Sequence, residues 1–396
     1  MFKRCLLCTC GLVLLLAAMG CGLAGAGSDT RRGDFKLWHK VTFTFDGPHL
    51  DETGMQNPFL DYRLDVTFRQ GDKQYTIPGF FAADGHAADS SATGGSKWRV
   101  HFRPDSTGLW HYEISFRFGE GVALKPADDK TDSVAWSSLD GTRGSFEVTA
   151  SDKHAPDLRA PSLGRVVYDG SHVLKYTGSD KPYIKAGEGS PENFLGYYEF
   201  DQTADIKNTG FNKGLINGLH RYPRHVDDWS PSDPTWQDGK GKGIMGAVNY
   251  MASQGLNSMY FLTFNIGPKE KIDVGEPREN KARACGDGGD TWPWISPTER
   301  LRFDVSKLDQ WDIVFTHMNN KGLGLTFMLA EAENEEALDD DATTAMGPER
   351  ALYYREMVAR FGHHLNIMWV IAEETATYSA TGIVERNKIR MQRLRD

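Results

Sequence analysis

From Tyr112 to Phe118 the chain alternates Tyr112, Ile114, Phe116 and Phe118 with Glu113, Ser115 and Arg117. A period of two puts one face of a strand in a core and the other in water. Short runs of the same β type cover residues 38–45, 62–68, 74–81, 98–102, 110–118 and 145–149, broken by turn residues and without a helical period. The pattern predicts an antiparallel β-sandwich over residues 35–150. Asp46-Gly47-Pro48 is expected to close a strand, and Asp105-Ser106-Thr107-Gly108 to turn a hairpin.

Residues 151–182 read as a linker with a short hairpin, 164–168 and 172–176, and after it the rhythm changes. A strand at 183–186 precedes a helix through Ile244, Val248 and Met251 that ends at Gly255, and 256–265 is a strand again. Asp304 caps a helix through Val305, Leu308, Ile313, Val314 and Met318, ended by Gly322 and followed by a strand at 323–330. Gly347-Pro348 opens a helix carrying Leu352, Tyr353, Met357, Val358 and Phe361 on one side, before a strand at 365–372 and a last helix in 380–396. Alternating strand and helix imply parallel strands with helical crossovers. A (β/α) TIM-barrel-type domain is therefore expected over 183–396. A full barrel takes about 250 residues, so about four βα units, half a barrel, are expected here. The doubly wound rival lacks its phosphate fingerprint, because 187–193 reads Gly-Glu-Gly-Ser-Pro-Glu-Asn.

Composition narrows the function. The 396 residues carry 45 Lys and Arg against 54 Asp and Glu, a net charge of -9 without a basic stripe, so nucleic acid is not an expected partner. Lys3 and Arg4, an apolar run at 12–18 and small residues at 24–26 read as a signal peptide over residues 1–26, too short to span a bilayer, and predict a secreted or periplasmic protein. Cys21 follows Ala18-Met19-Gly20, faintly like a lipoprotein site, although Met19 and the competing site at Ala26 argue against it. Cys285 is the one cysteine beyond that segment, so no disulfide framework is expected.

In a barrel the chemistry sits where strands end. The first expected strand is followed by Glu188, Glu192 and Asn193, the second ends in Asn265, the third in Glu331, Glu333 and Asn334, and the fourth in Glu373 and Glu374. Glu331 and Glu333 continue one face of their strand. Clustered carboxylates at such a mouth suit glycosidic cleavage, with one protonated acid and one nucleophile or base. The loops add His225, Trp229, Trp236, Trp292 and Trp294. Their rings suit stacking on sugars, and equally suit pinning long loops to a rim. The acidic stretches 287–290 and 339–341 lack the spacing of a calcium site, so no metal or cofactor is expected. His363-His364 at a helix end reads as structural.

Several segments resemble a family. Residues 38–45 (WHKVTFTF), 57–64 (NPFLDYRL), 78–85 (PGFFAADG) and 97–100 (KWRV) are similar to the Ig-like sandwich of the domain-of-unknown-function 5060 type, found in secreted bacterial proteins before a glycoside-hydrolase-like barrel. Residues 190–194, 238–243, 303–311, 347–350 and 360–364 resemble that family's barrel segments. The strand-end carboxylates predict a polysaccharide hydrolase with Glu374 as acid/base, Glu373 as its alternative, and Glu192, Asn193, Glu331 and Glu333 shaping the sugar site. The resemblance implies a glycosidase fold with Glu374 at the acid/base position. It places the nucleophile on a seventh strand, beyond residue 396. The fourth-strand end reads Ala-Glu-Glu-Thr where the family has Gly-Glu-Glu-Asn. The expected partner is a polysaccharide or oligosaccharide. The alternative is a non-catalytic carbohydrate-binding or cell-surface protein.

Overall fold

In the computed structural model, residues 30–189, 191–206, 219–266, 289–331, 334, 337–339, 346–373 and 383–395 are described. The expected signal peptide, Cys285, Glu333 and Glu374 lie outside them. None of the described helices is long and apolar enough to cross a membrane.

The named strands of the first region pair antiparallel. Strands β1 (Thr30–Arg32), β2 (Val41–Asp51), β3 (Tyr62–Gln70), β4 (Lys73–Pro78), β5 (Phe80–Phe81), β6 (Gly94–Phe102), β7 (Gly108–Phe118), β8 (Val134–Ala135) and β9 (Arg143–Val148) form two sheets, with the one-turn helix α1 (Ala87–Ser90) between β5 and β6. One sheet has the order β1-β2-β6-β5; the other has β4-β3-β7-β8, with β9 also on β7. The inner faces meet in an aromatic core, where Phe68 stacks on Phe102 with ring centroids 4.0 Å apart and Phe43 meets Tyr112 edge-on at 5.0 Å.

Two expectations about its turns are corrected. Asp46-Gly47-Pro48 does not end a strand: β2 runs through it, and its register against β6 shifts between Asp46 and Leu50. Proline lacks the N–H for a regular ladder and is accommodated at such an irregularity. Residues 103–107 join β6 to β7, which belong to different sheets. Their turn residues therefore make a crossover between layers and not a hairpin.

The linker folds as a small antiparallel sheet of β10 (Val166–Tyr168), β11 (Leu174–Tyr176) and β12 (Pro182–Tyr183). Tyr183 pairs with Leu174 there, so it does not begin the parallel sheet as expected. That sheet starts with β13 (Gly187–Glu188) and continues through helix α2 (Lys242–Ser253), β14 (Ser258–Leu262), helix α3 (Val305–Asn320), β15 (Gly324–Met328), helix α4 (Pro348–Phe361) and β16 (Ile367–Val370), before helix α5 (Ile383–Arg395). Gly187 is required where β13 begins, because a Cβ there would overlap the carbonyl oxygen of Ser258.

The four strands are parallel and lie in chain order, β13-β14-β15-β16. A single winding direction covers one face with helices, without the order reversal of a doubly wound sheet. Phe261 and Phe327 present that face to α3 and α4, meeting Phe315 at 5.0 and 5.8 Å, and Phe327 meets Phe361 at 5.6 Å. Asp304 caps α3 by accepting the Lys307 N–H at 2.9 Å. The helices in turn pack on the sandwich. Arg355 donates to the Leu64 carbonyl at 2.9 Å, Arg360 to that of Phe81 at 2.9 Å, and the Glu52 carboxylate accepts the Val305 N–H at 2.6 Å.

Candidate functional site

The carboxyl ends of the parallel strands bring three glutamates together. Glu192 follows β13 by four residues, and its carbonyl accepts the N–H of Leu262, the last residue of β14, at 2.9 Å. Glu331 follows β15, and Glu373, which follows β16, donates its N–H to Ala330 at 3.0 Å. One carboxylate oxygen from each of Glu192, Glu331 and Glu373 lies within 4.8 Å of the others. Glu331 is buried, whereas Glu192 and Glu373 are half-buried.

Asn334 sets the orientation of Glu331. Its side-chain oxygen accepts the Glu331 N–H at 2.9 Å, and its amide donates to the Glu331 carboxylate at 3.3 Å and to the Phe264 carbonyl at 3.1 Å. Tyr260, in the middle of β14, is the member of the site that sequence reasoning missed. Its hydroxyl is buried and has no hydrogen bond of standard geometry. Burial first, then Glu373, Glu192 and Glu331, raise its pKa above the ordinary tyrosine value, so it stays protonated beside the acids. A polar-tipped aromatic between Met259 and Phe261 in an otherwise apolar run was the available signal.

Asn193 and Asn265 belong to a second network centred on Asp290. Asn193 donates to one Asp290 oxygen at 2.6 Å, and Asn265 donates to the other at 2.8 Å. The Asn265 side-chain oxygen accepts the N–H groups of Gly289, Asp290 and Thr291 at 2.9, 3.1 and 3.0 Å. His220 Nε2 lies 2.8 Å from the Asn193 side-chain oxygen, and burial lowers its pKa to about 4, which leaves the neutral ring donating this bond. Burial also raises the Asp290 pKa, against the lowering effect of both asparagines. With these donors and acceptors paired internally, Asn193 and Asn265 fix the loops behind the acids.

The tryptophans divide. Trp236, Trp292 and Trp294 are 1, 3 and 0% exposed. Trp236 stacks on Phe200 at 5.3 Å, Lys307 sits over Trp292 at 4.9 Å, and Trp294 packs against Phe264 and Tyr353 at 5.3 and 5.6 Å. Their faces are consumed by the core. The sugar-stacking expectation for these three is therefore replaced by its alternative, the pinning of loops. Trp229 is half-buried under Lys242, 4.7 Å above its ring, and His225 pairs with Asp228 at 2.9 Å. Both sit on or beside the short turn Pro223–Asp228, which packs on α2. Glu188 is exposed on β13.

A second set of potential ligand atoms, from Asp312, His363 and His364, also falls within 4.8 Å. Lys40 occupies the other Asp312 oxygen at 2.6 Å, and Arg99 and Arg103 add positive charge around the histidines. That environment opposes a cation and marks the cluster as part of the seam between the two regions.

Residues 34–117, from the approach to β2 through most of β7, match a family model described as Domain of unknown function (DUF5060). The fold is similar to that of a solved structure from Bacteroides vulgatus ATCC 8482, described as a "putative glycoside hydrolase", at 16% identity and a TM-score of 0.52, covering 91% of this chain and 53% of that one. A xyloglucanase of Bacteroides ovatus, in complex with a XXXG heptasaccharide, matches at 8% identity and a TM-score of 0.27, covering 93% of this chain and 61% of that one, a likeness too slight to bear on this chain. No curated protein matches the chain. The chain thus has a β-sandwich followed by an α/β region, a fold similar to that of the Bacteroides vulgatus structure. It spans about half the length of the Bacteroides vulgatus protein.

Proposed function

We propose that this chain is the sandwich and four βα units of a (β/α)-barrel glycoside hydrolase, exported by residues 1–26 and acting on a polysaccharide. The observation that carries the reading is the convergence of Glu192, Glu331 and Glu373 within 4.8 Å at the carboxyl ends of parallel strands. Repulsion between close carboxylates holds a proton on one member of a pair, and a protonated acid beside an ionised one is what glycosidic cleavage uses. The acid gives its proton to the glycosidic oxygen as the bond to the anomeric carbon breaks. A carboxylate or the water it activates then takes that carbon, and the product is a reducing sugar.

The acid/base role falls to the adjacent pair Glu373 and Glu374. Glu373 is the described member that meets the other acids, and Glu374 is the alternative. Glu331 is held in place by Asn334 beside them.

The test is reducing-sugar release from a panel of polysaccharides by a full-barrel relative and its variants equivalent to Glu373→Gln, Glu374→Gln and Glu331→Gln. Loss of the acid is expected to lower kcat by about 10²–10⁴-fold in one of the first two variants, with the melting temperature retained. Unchanged turnover in both would sink the assignment. Binding of a polysaccharide without hydrolysis by that relative would select the carbohydrate-binding alternative.

A further inference from the structure

A cavity of about 460 Å³ opens between the sandwich and the α/β region, with β3, β4 and β6 on one side and α4, β16 and α5 on the other. That volume is in the range of small-molecule sites. Six arginines line it: Arg63, Arg103, Arg165, Arg355, Arg393 and Arg395. Asp65 is the only acidic residue among the described lining, and it is already divided between Arg63 at 2.5 Å and Arg355 at 3.2 Å. Asp105, close by, is committed to Tyr75 at 2.8 Å and Lys73 at 3.1 Å. In a chain of net charge -9 this is a local excess of positive charge.

Arg103 is the informative member. It is 3% exposed, and its Nε and one terminal nitrogen have no hydrogen-bond partner. Burial, reinforced by Arg159, lowers its pKa to about 9, and Asp312 and Asp157 oppose that only in part. A guanidinium buried without an anion is costly, and its fork of donors fits a planar or tetrahedral oxyanion. The half-buried rings of Tyr75 and Trp369 line the same cavity.

We infer that this cavity binds an acidic sugar unit, its carboxylate or sulfate held by Arg103 and its ring set against Tyr75 and Trp369. The site is separate from the strand-end glutamates and does not depend on their proposed chemistry. Calorimetry on the full chain tests it with four probes: an oligogalacturonate, a heparin-derived sulfated oligosaccharide, a neutral maltooligosaccharide and inorganic sulfate. At least one anionic saccharide is expected to bind about tenfold or more tightly than the neutral one, and to weaken as salt is raised. Arg103→Met is expected to lower that affinity at least about tenfold without lowering the melting temperature, since it removes an unpaired buried charge. Arg395→Ala is expected to weaken binding less. Glu331→Gln is expected to leave binding unchanged, which separates this site from the proposed catalytic one. The inference is overturned if neither anionic saccharide binds, if only inorganic sulfate binds, or if both arginine variants bind like the wild-type chain.

Discussion

The α/β region holds two clusters built from similar polar side chains, and their surroundings make them opposites. At the strand ends, Glu192, Glu331 and Glu373 gather within 4.8 Å, with Tyr260 keeping its proton beside them. At the seam, Asp312 lies 2.8 Å from His364, 3.4 Å from His363 and 2.6 Å from Lys40, and His101 packs on His363 with ring centroids 4.8 Å apart. The first cluster concentrates charge of one sign where the chain leaves its strands. The second balances a carboxylate against an ammonium and keeps its histidines neutral. Concentrated like charge costs stability and suits chemistry, whereas balanced and buried charge holds two regions in register.

The strongest way to break this contrast is to remove one member from each cluster. Asp312→Asn strips the seam of its only negative partner for Lys40 among the contacts described, leaving a half-buried ammonium and two histidines facing a neutral amide. It is expected to destabilise the chain by about 1–3 kcal/mol, less than breaking a fully buried pair, because both partners keep some contact with solvent. Glu331→Gln removes one carboxyl from a crowded acidic group and is expected to leave stability unchanged or slightly raised. Urea unfolding measures both, and equal losses in the two variants would erase the distinction.

Chain pattern announced one cluster and concealed the other for a physical reason. The acids follow strands whose periodicity is local, so their arrival at one sheet edge follows from parallel topology. The seam joins Lys40 to Asp312, 272 residues apart, and no local pattern reports such a contact. His363 and His364 were legible as structural, but not as the partners of Asp312 and His101. The tryptophans were ambiguous because a loop indole reads the same whether its ring meets a sugar or, as at Trp236, a phenylalanine. Asp46-Gly47-Pro48 misled for a related reason: the residues that favour turns also suit a bulge within a strand.

Acid sharpens the contrast next. Burial lowers the pKa of His101 and His363 well below the ordinary value, and that of His364 to about 4. The folded chain therefore holds these rings neutral, while the unfolded chain protonates them near pH 6.5. Their contribution to stability is complete above about pH 6.5 and is lost as the pH falls toward 4, by up to about 1.4 kcal/mol per pH unit for each histidine. Unfolding free energy measured from pH 7.5 to 4.5 is expected to fall along this window in the wild-type chain. His364→Gln is expected to flatten the slope, and an unaltered slope would remove His364 from the account.

Glu52 provides the finest test, because it is a buried carboxylate that crosses the seam without a direct cation of the Lys40 kind in the described contacts. Burial, and then Asp304, raise its pKa to about 8, although it accepts the Val305 N–H at the start of α3. The sign is opposite to that of the histidines. The folded chain keeps the Glu52 proton between about pH 4.5 and 8 while the unfolded chain releases it, so stability falls as the pH rises through that window. Glutamine preserves the acceptor oxygen and cannot ionise. Glu52→Gln is therefore expected to match the wild-type chain near pH 4.5 and to gain about 1–2 kcal/mol over it by pH 8, allowing for relaxation around the charge. A gain independent of pH would mean that packing, and not the missing cation, separates Glu52 from Asp312.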